Sequence, residues 1–203
     1  MYESIHETLS KQDWPRRKYD ILDFGSMWYG DPDGGWQTFM RWIFKDLLGT
    51  ENINHILGVY PEYDIESLSQ MADNSVNIVV ADQVLEHVQR PWEAAKQVLR
   101  VLKPGGVAMV ATPGMYPIHP SPLDCWRIMP DGYKVLFPES VWQTLALDMW
   151  GNADRVAHEF GVNKNLISGA PTYTVEEAMA QDGYVAGTDG KCPIQVWWLG
   201  RKK

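Results

Sequence analysis

Apolar and polar positions alternate along this chain in blocks that change period. Tyr19-Asp20-Ile21-Leu22-Asp23-Phe24 is a short apolar run closed by Gly25, and it predicts a buried strand. A loop with Gly30, Pro32, Gly34 and Gly35 follows. Phe39, Ile43 and Leu47, with Met40, Phe44 and Leu48, then recur at helical spacing and predict a helix from about residue 36 to 48, stopped by Gly49. His55 to Tyr60 predicts a second strand ended by Pro61. Val76 to Ala81 predicts a third, after the turn-like Asp73-Asn74-Ser75. A helix starts near Pro91, a good first helical position, and buries Ala95, Val98, Leu99 and Leu102. It stops at Lys103-Pro104-Gly105-Gly106, and Val107 to Thr112 forms the next strand.

The last third is less regular. Val141 to Leu147 fits either a strand or a helix, while Asp154 to Phe160 and Val175 to Gln181 read as helical. Ile194 to Leu199 predicts a terminal strand. Strands alternating with helices imply βαβ crossovers. The expected fold is α/β, a doubly wound, mainly parallel sheet with the terminal strand inserted antiparallel. With 203 residues, one domain is expected. Residues 1–18 would serve as an N-terminal cap and residues 114–137 as a loop over the end of the sheet.

Composition narrows the functional classes. Apolar residues make up 45% and charged residues 22%, as in ordinary globular proteins. The net charge of -8, with no basic stripe, argues against binding nucleic-acid phosphates or anionic membranes. No apolar run reaches membrane-spanning length, and the polar N-terminus lacks the apolar stretch of a signal peptide, so a cytoplasmic location is expected. Cys125 and Cys192 read as reduced thiols. Most of the ten tryptophans are expected in the core.

In an open parallel sheet, ligands bind beyond the carboxyl ends of the strands. Four stretches therefore matter most: Asp23 to Ser26, Tyr60 to Asp64, Ala81 to Gln83, and Thr112 to His119. Gly25 allows a ligand close to the backbone. A single glycine falls short of the three in a dinucleotide fingerprint, which disfavours that ligand.

One long stretch is far more specific: Val84-Leu85-Glu86-His87-Val88, a helix, Arg100-Val101-Leu102-Lys103-Pro104-Gly105-Gly106, a strand, then Thr112-Pro113. In this order it resembles the S-adenosylmethionine-dependent methyltransferase superfamily, which has a Rossmann-like fold. The segment from His119 onward also resembles a recurring stretch of one subgroup, and the likeness spans roughly residues 19 to 150. It implies S-adenosyl-L-methionine as cofactor. Asp23, Gly25 and Ser26 would fall on its first motif, Asp64 and Ile65 beside the adenine, and Asp82 and Gln83 at the end of the fourth family strand. Two features depart from the pattern. Met27-Trp28-Tyr29 puts bulk where small residues are usual, and the acid that grips the ribose has only Glu62 as a substitute.

Methyl transfer from a sulfonium needs a positioned nucleophile and little other help. For a hydroxyl or protonated amine acceptor, an imidazole is a suitable base. His119 stands where that base would be needed, and Asp124 would orient it or bind substrate. Arg127 would hold a carboxylate or phosphate on the acceptor. Trp126 and Tyr133 would form an apolar wall. Structural roles stay open for the same residues. Arg127 paired with Asp124 or Asp131 would lock the loop, Trp126 would plug the core, and Glu86 with His87 would brace the helix start. A metal site from His119, Asp124 and His87 lacks compact ligand spacing, and none is expected.

The leading expectation is O- or N-methylation of a small-molecule acceptor, with a homodimer left open. The alternatives are a catalytically degenerate relative that acts as a binding or scaffold partner, and an enzyme of this fold with another reaction.

Overall fold

A computed structural model describes residues 2–24, 39–118, 123–152, 156, 159–160 and 192–203. Its elements run in the order α1 (Tyr2–Ser10), β1 (Tyr19–Phe24), α2 (Phe39–Leu48), a 3-10 turn (Thr50–Asn52), β2 (Ile53–Leu57), β3 (Val76–Asp82), α3 (Pro91–Val101), β4 (Leu102–Pro113), α4 (Pro130–Leu136), β5 (Trp142–Trp150) and β6 (Gln195–Lys202). The strands form one sheet in the order β2-β1-β3-β4-β6-β5. β2, β1, β3 and β4 are parallel, and β6 lies antiparallel between β4 and β5. This is the doubly wound sheet with an antiparallel terminal strand that the alternation predicts.

Each face of the sheet carries its own core. On one face, Ile21, Ile78, Val80, Val107 and Met109 pack against Ile5 and Leu9 of α1 and Met40, Ile43 and Phe44 of α2. On the other, Leu22, Val79, Ala108 and Val110 pack against Ala94, Ala95 and Val98 of α3, Tyr133 of α4 and Phe137, which follows it. The two-residue alternation of the strands and the helical repeat of the helices meet in this way on both sides. Burial of so many aliphatic side chains, at about 1.5–3 kcal/mol each, is the main driving term. At the α4 end, Phe137 stacks on Trp198 at 4.2 Å, and Trp142 meets Trp198 edge to face at 5.0 Å.

Several boundaries differ from expectation. β2 spans 53–57 rather than 55–60. It is a half-exposed edge strand, so burial does not set its pattern, and the apolar run 56–60 pulls a sequence reading toward its carboxyl end. The 141–147 segment resolves as strand β5. Residues 114–137 are not all loop: α4 begins on Pro130, whose ring fixes a helical φ at the first position, and buries Tyr133. Two turns are too short to show a period. Residues 1–10 include helix α1, which buries Ile5 and Leu9. The helix expected over 175–181, and most of that over 154–160, lie outside the described residues.

Candidate functional site

From β1 the chain crosses to β2 on one side and continues to β3 on the other, so the strand order reverses between β1 and β3. The crevice at their carboxyl ends is where this architecture binds ligands. Asp23 lies one residue from the end of β1, and Asp82 closes β3. By strand alternation both continue the face that carries Ile21 and Val80. Both carboxylates are buried. His55 Nε2 donates to Asp23 Oδ2 at 2.8 Å. Tyr2 OH, from the start of α1, donates to Asp82 Oδ2 at 2.9 Å. The N-terminal helix thus reaches over the end of β3.

Burial raises the Asp82 carboxyl to about 6, and the charge of Asp23 adds to the shift, while hydrogen bonds from Tyr2 and Gln83 oppose it. Gln83 follows with φ +56, a left-handed conformation uncommon for a residue with a Cβ. Its N–H donates to the Ala111 carbonyl at 2.9 Å, which holds the strained residue at the mouth of the crevice. Such local strain tends to mark functional positions. On the other side of β1, Gly58 N–H donates to the Asp23 carbonyl at 2.8 Å. A Cβ there would run into the Phe24 ring, so only glycine permits this approach.

Glu86 lies four residues past β3 and is fully buried. Neither of its carboxyl oxygens has a hydrogen-bond partner among the described residues. Burial raises its carboxyl to about 8, with the charges of Asp82 and Asp124 adding and that of Arg127 opposing. Its backbone carbonyl accepts Cys125 N–H at 2.7 Å and Trp126 N–H at 3.2 Å, which binds segment 123–129 to the end of β3.

Segment 123–129 is clamped by Arg127. Nε donates to the Tyr116 carbonyl at 3.1 Å. One terminal nitrogen donates to the Trp126 carbonyl and Asp124 Oδ1, the other to the Pro117 carbonyl and Asp124 Oδ2. A guanidinium has five N–H donors, and all five are occupied. Arg127 therefore has none left for an acidic acceptor. The lock with Asp124, one of the two roles open in the sequence, is the observed one, and the substrate-binding role is corrected.

Tyr133 needs the same correction. It is fully buried, shares a 2.9 Å hydrogen bond with Thr112 Oγ1, and donates to the Val196 carbonyl at 3.2 Å. Burial pushes its hydroxyl far above its ordinary range. It is a core residue, not a wall of an acceptor pocket. Trp126 is partly exposed, donates to the Val88 carbonyl at 2.9 Å and meets Trp92 edge to face at 6.0 Å. It lies on the rim rather than plugging the core.

Of the positions expected to hold cofactor, the structure brings Asp23, Asp82 and Gln83 to the crevice. Glu62 is exposed. Asp64 caps its own turn, accepting the Glu66 N–H at 2.9 Å on Oδ1. Ile65 packs in the core beneath α3, which removes the expected adenine-facing side chain. Gly25, Ser26 and His119 lie outside the described residues. Sequence reasoning missed Tyr2 and His55, which carry no local signal, and it gave Glu86 only a bracing role.

Clefts of about 780 and 370 Å³ lie at the opposite, amino-terminal edge of the sheet, beside Trp14–Tyr19, and share Arg17. The carboxyl-end crevice is preferred as the site because the buried acids and the strained Gln83 sit there.

A methyltransferase-domain family model matches residues 48–110. An uncharacterized methyltransferase of Mycobacteroides abscessus is 46% identical over 41 residues, 20% of this chain and 16% of that relative's length. A chain from the complex between the Haloferax volcanii Trm112 methyltransferase activator and a methyltransferase has 16% identity and a TM-score of 0.55, over 98% of this chain and 89% of that one. An S-adenosylmethionine-dependent methyltransferase from Mesorhizobium loti has 12% identity and a TM-score of 0.55, over 99% and 98%. The methyltransferase-superfamily resemblance is borne out, by sequence in the middle of the chain and by fold over nearly all of it.

Proposed function

We propose that this chain is an S-adenosyl-L-methionine-dependent methyltransferase that modifies a small-molecule acceptor at oxygen or nitrogen. The observation that carries this reading is the set of Asp23, Asp82 and Gln83 at the point where strand order reverses. The donor set fits a cationic ligand. Two carboxylates face the crevice, and Gln83 adds an amide beside Asp82, 3.4 Å away. When bound, the cofactor supplies an activated methyl group on a sulfonium. Asp23 and Asp82 would offset its positive charge in a site of low dielectric. Tyr2 would hold the Asp82 carboxylate in place and exclude water from above. His55 fixes Asp23 in one orientation. The Arg127 clamp keeps segment 123–129 over the acceptor side, and His119, just before it in sequence, serves as a base toward the acceptor.

Calorimetric titration of the full chain with S-adenosylmethionine tests this. Saturable heat is expected, weakened at least tenfold by Asp82→Ala. No heat and no thermal shift at millimolar ligand would overturn it. That outcome would favour a non-catalytic binding protein, a reading supported by the exposure of Glu62 where the ribose-gripping acid should stand. His119→Ala should lower turnover more than donor affinity.

A further inference from the structure

We propose that the clefts beside Trp14–Tyr19, at the amino-terminal edge of the sheet, form a second ligand site, which binds a diphosphate group through Arg16, Arg17 and Lys18. The site lies at the opposite end of the strands from the carboxyl-end crevice. It does not depend on the methyltransferase reading.

Charge sets this segment apart. Acidic residues outnumber basic ones by 26 to 18, so a cation without an acid is the exception. Lys11, Arg90, Lys96, Arg100, Lys103 and Lys134 each lie 2.7–2.9 Å from a carboxylate oxygen. Arg16, Arg17 and Lys18 are consecutive and exposed, and among the described residues none of them has an ion pair or donates a hydrogen bond. The carbonyls at the nearby end of α2 already have donors. Lys45 accepts the Gly49 N–H at 3.0 Å, Leu48 accepts Asn52 Nδ2 at 2.7 Å, and Gly49 accepts the Asn52 N–H at 3.1 Å. Four cations line the two clefts, Arg16, Arg17, Lys18 and Arg201, against two acids, Asp13 and Glu51. The lining is therefore net positive in a chain of net charge -8. Three like charges in a row repel one another, and an anion among them reverses that term.

The segment is also held in place. Trp14 Nε1 donates to the Leu9 carbonyl at 2.9 Å, and its ring meets Phe44 edge to face at 6.2 Å. Tyr19 OH donates to the Pro15 carbonyl at 2.7 Å. The Arg17 guanidinium lies 5.2 Å from the centroid of the Tyr19 ring, within cation–π range. Arg17 thus stands between the two cavities, of about 780 and 370 Å³, the larger of a size usual for small-molecule sites. Arg16 and Lys18 line the larger one, and Arg201 lines the smaller with only two of its five N–H donors used, on Gly105 and Gln12.

This layout selects among anions. A carboxylate offers two oxygens in one plane, which suits a single guanidinium fork. A phosphate offers three oxygens and nearly two charges, and accepts from several cations at once. Two linked phosphates place one such group on each side of Arg17. A nucleic-acid strand is the poorer fit, because beyond this short cationic run it would meet the field of an acidic chain.

Calorimetric titration of the full chain with pyrophosphate, ADP, inorganic phosphate, citrate and a single-stranded oligonucleotide tests this. Pyrophosphate and ADP are expected to bind saturably, about tenfold or more tighter than inorganic phosphate or citrate, and to weaken as salt rises. Equal affinity for the two would make the diphosphate itself the recognised group, and tighter binding of ADP would add its ester; either supports the site. Arg17→Ala should weaken binding about tenfold. Arg16→Ala, which breaks no bond of the fold, should act in the same direction and serves if the Arg17 variant does not fold. Lys96→Ala removes one positive charge on α3 and should leave affinity within about twofold. The proposal is overturned if neither diphosphate binds at millimolar concentration, if inorganic phosphate or citrate binds as well, or if the oligonucleotide binds more tightly than ADP. Binding that survives both arginine variants, or that falls equally in Lys96→Ala, would overturn it too.

Discussion

The two edges of the sheet treat buried polarity in opposite ways. At the amino-terminal edge, Asn77 Oδ1 accepts the Asp20 N–H at 3.0 Å and Lys103 Nζ at 3.1 Å, while Lys103 also donates to Asp20 Oδ2 at 2.9 Å. Arg201 spans the Gly105 carbonyl and Gln12 Oε1, and Lys202 donates to the Leu99 and Leu102 carbonyls. The exception there is the Ser75 hydroxyl, a small neutral group. At the carboxyl edge, buried acids crowd together, Glu86 has neither oxygen bonded, and Gln83 sits in a left-handed conformation. One edge is stitched for stability. The other keeps mismatched charge, which is where local rules are expected to yield to function.

Removing the unbonded Glu86 carboxylate should therefore have the opposite sign to removing a polar group that is hydrogen-bonded. The largest effect should be the pH dependence of Glu86→Gln. Burial favours the protonated carboxyl in the folded state, from 4.5 to about 8 for Glu86 and from 3.8 to about 6 for Asp82. The folded chain then holds more protons than the unfolded chain, so the stability from these groups is full below about 4 and is lost as pH rises through about 6 and then about 8. Glu86→Gln should remove the Glu86 share of that slope. Relative to wild type, the variant should gain on the order of 4 kcal/mol between pH 5 and pH 9 in urea unfolding. A flat difference would show that Glu86 titrates normally.

Arg127→Ala should come next, with a loss of about 3 kcal/mol at pH 7, because it strips a buried carboxylate of its guanidinium. A loss below 1 kcal/mol would mean that the clamp is ornamental and that Arg127 is available to ligand. Asn77→Ala, at the satisfied edge, should cost about 1–2 kcal/mol with no change of pH profile. Tyr2→Phe should cost the least, roughly 0.5–1 kcal/mol in thermal unfolding, while weakening donor binding through Asp82. Unchanged donor affinity would reduce α1 to a lid over the core.

Much of this was legible from the chain. β1, β3 and α3 follow apolar runs with clear stops, and those stops put Asp23 and Asp82 at the carboxyl ends of their strands, where the structure has them. What escaped depends on contacts distant in sequence. α4 is too short for a helical period. The role of Arg127 turns on carbonyls of Tyr116 and Pro117, ten and eleven residues away. The isolation of Glu86 cannot be read from Val84-Leu85-Glu86-His87-Val88, since a motif does not reveal which partners are missing. Ile65 illustrates the reverse error: an apolar residue beside an acid matched a ligand-flanking pattern, but tertiary packing drew it into the core.

The most direct measurement is a crystal structure of the chain with S-adenosylhomocysteine. The ligand should lie across the carboxyl ends of β1 and β3, against Asp23, Asp82 and Gln83. Ligand in the cleft beside Trp14–Tyr19 at the opposite edge, or none bound at saturating concentration, would contradict the assignment of the site.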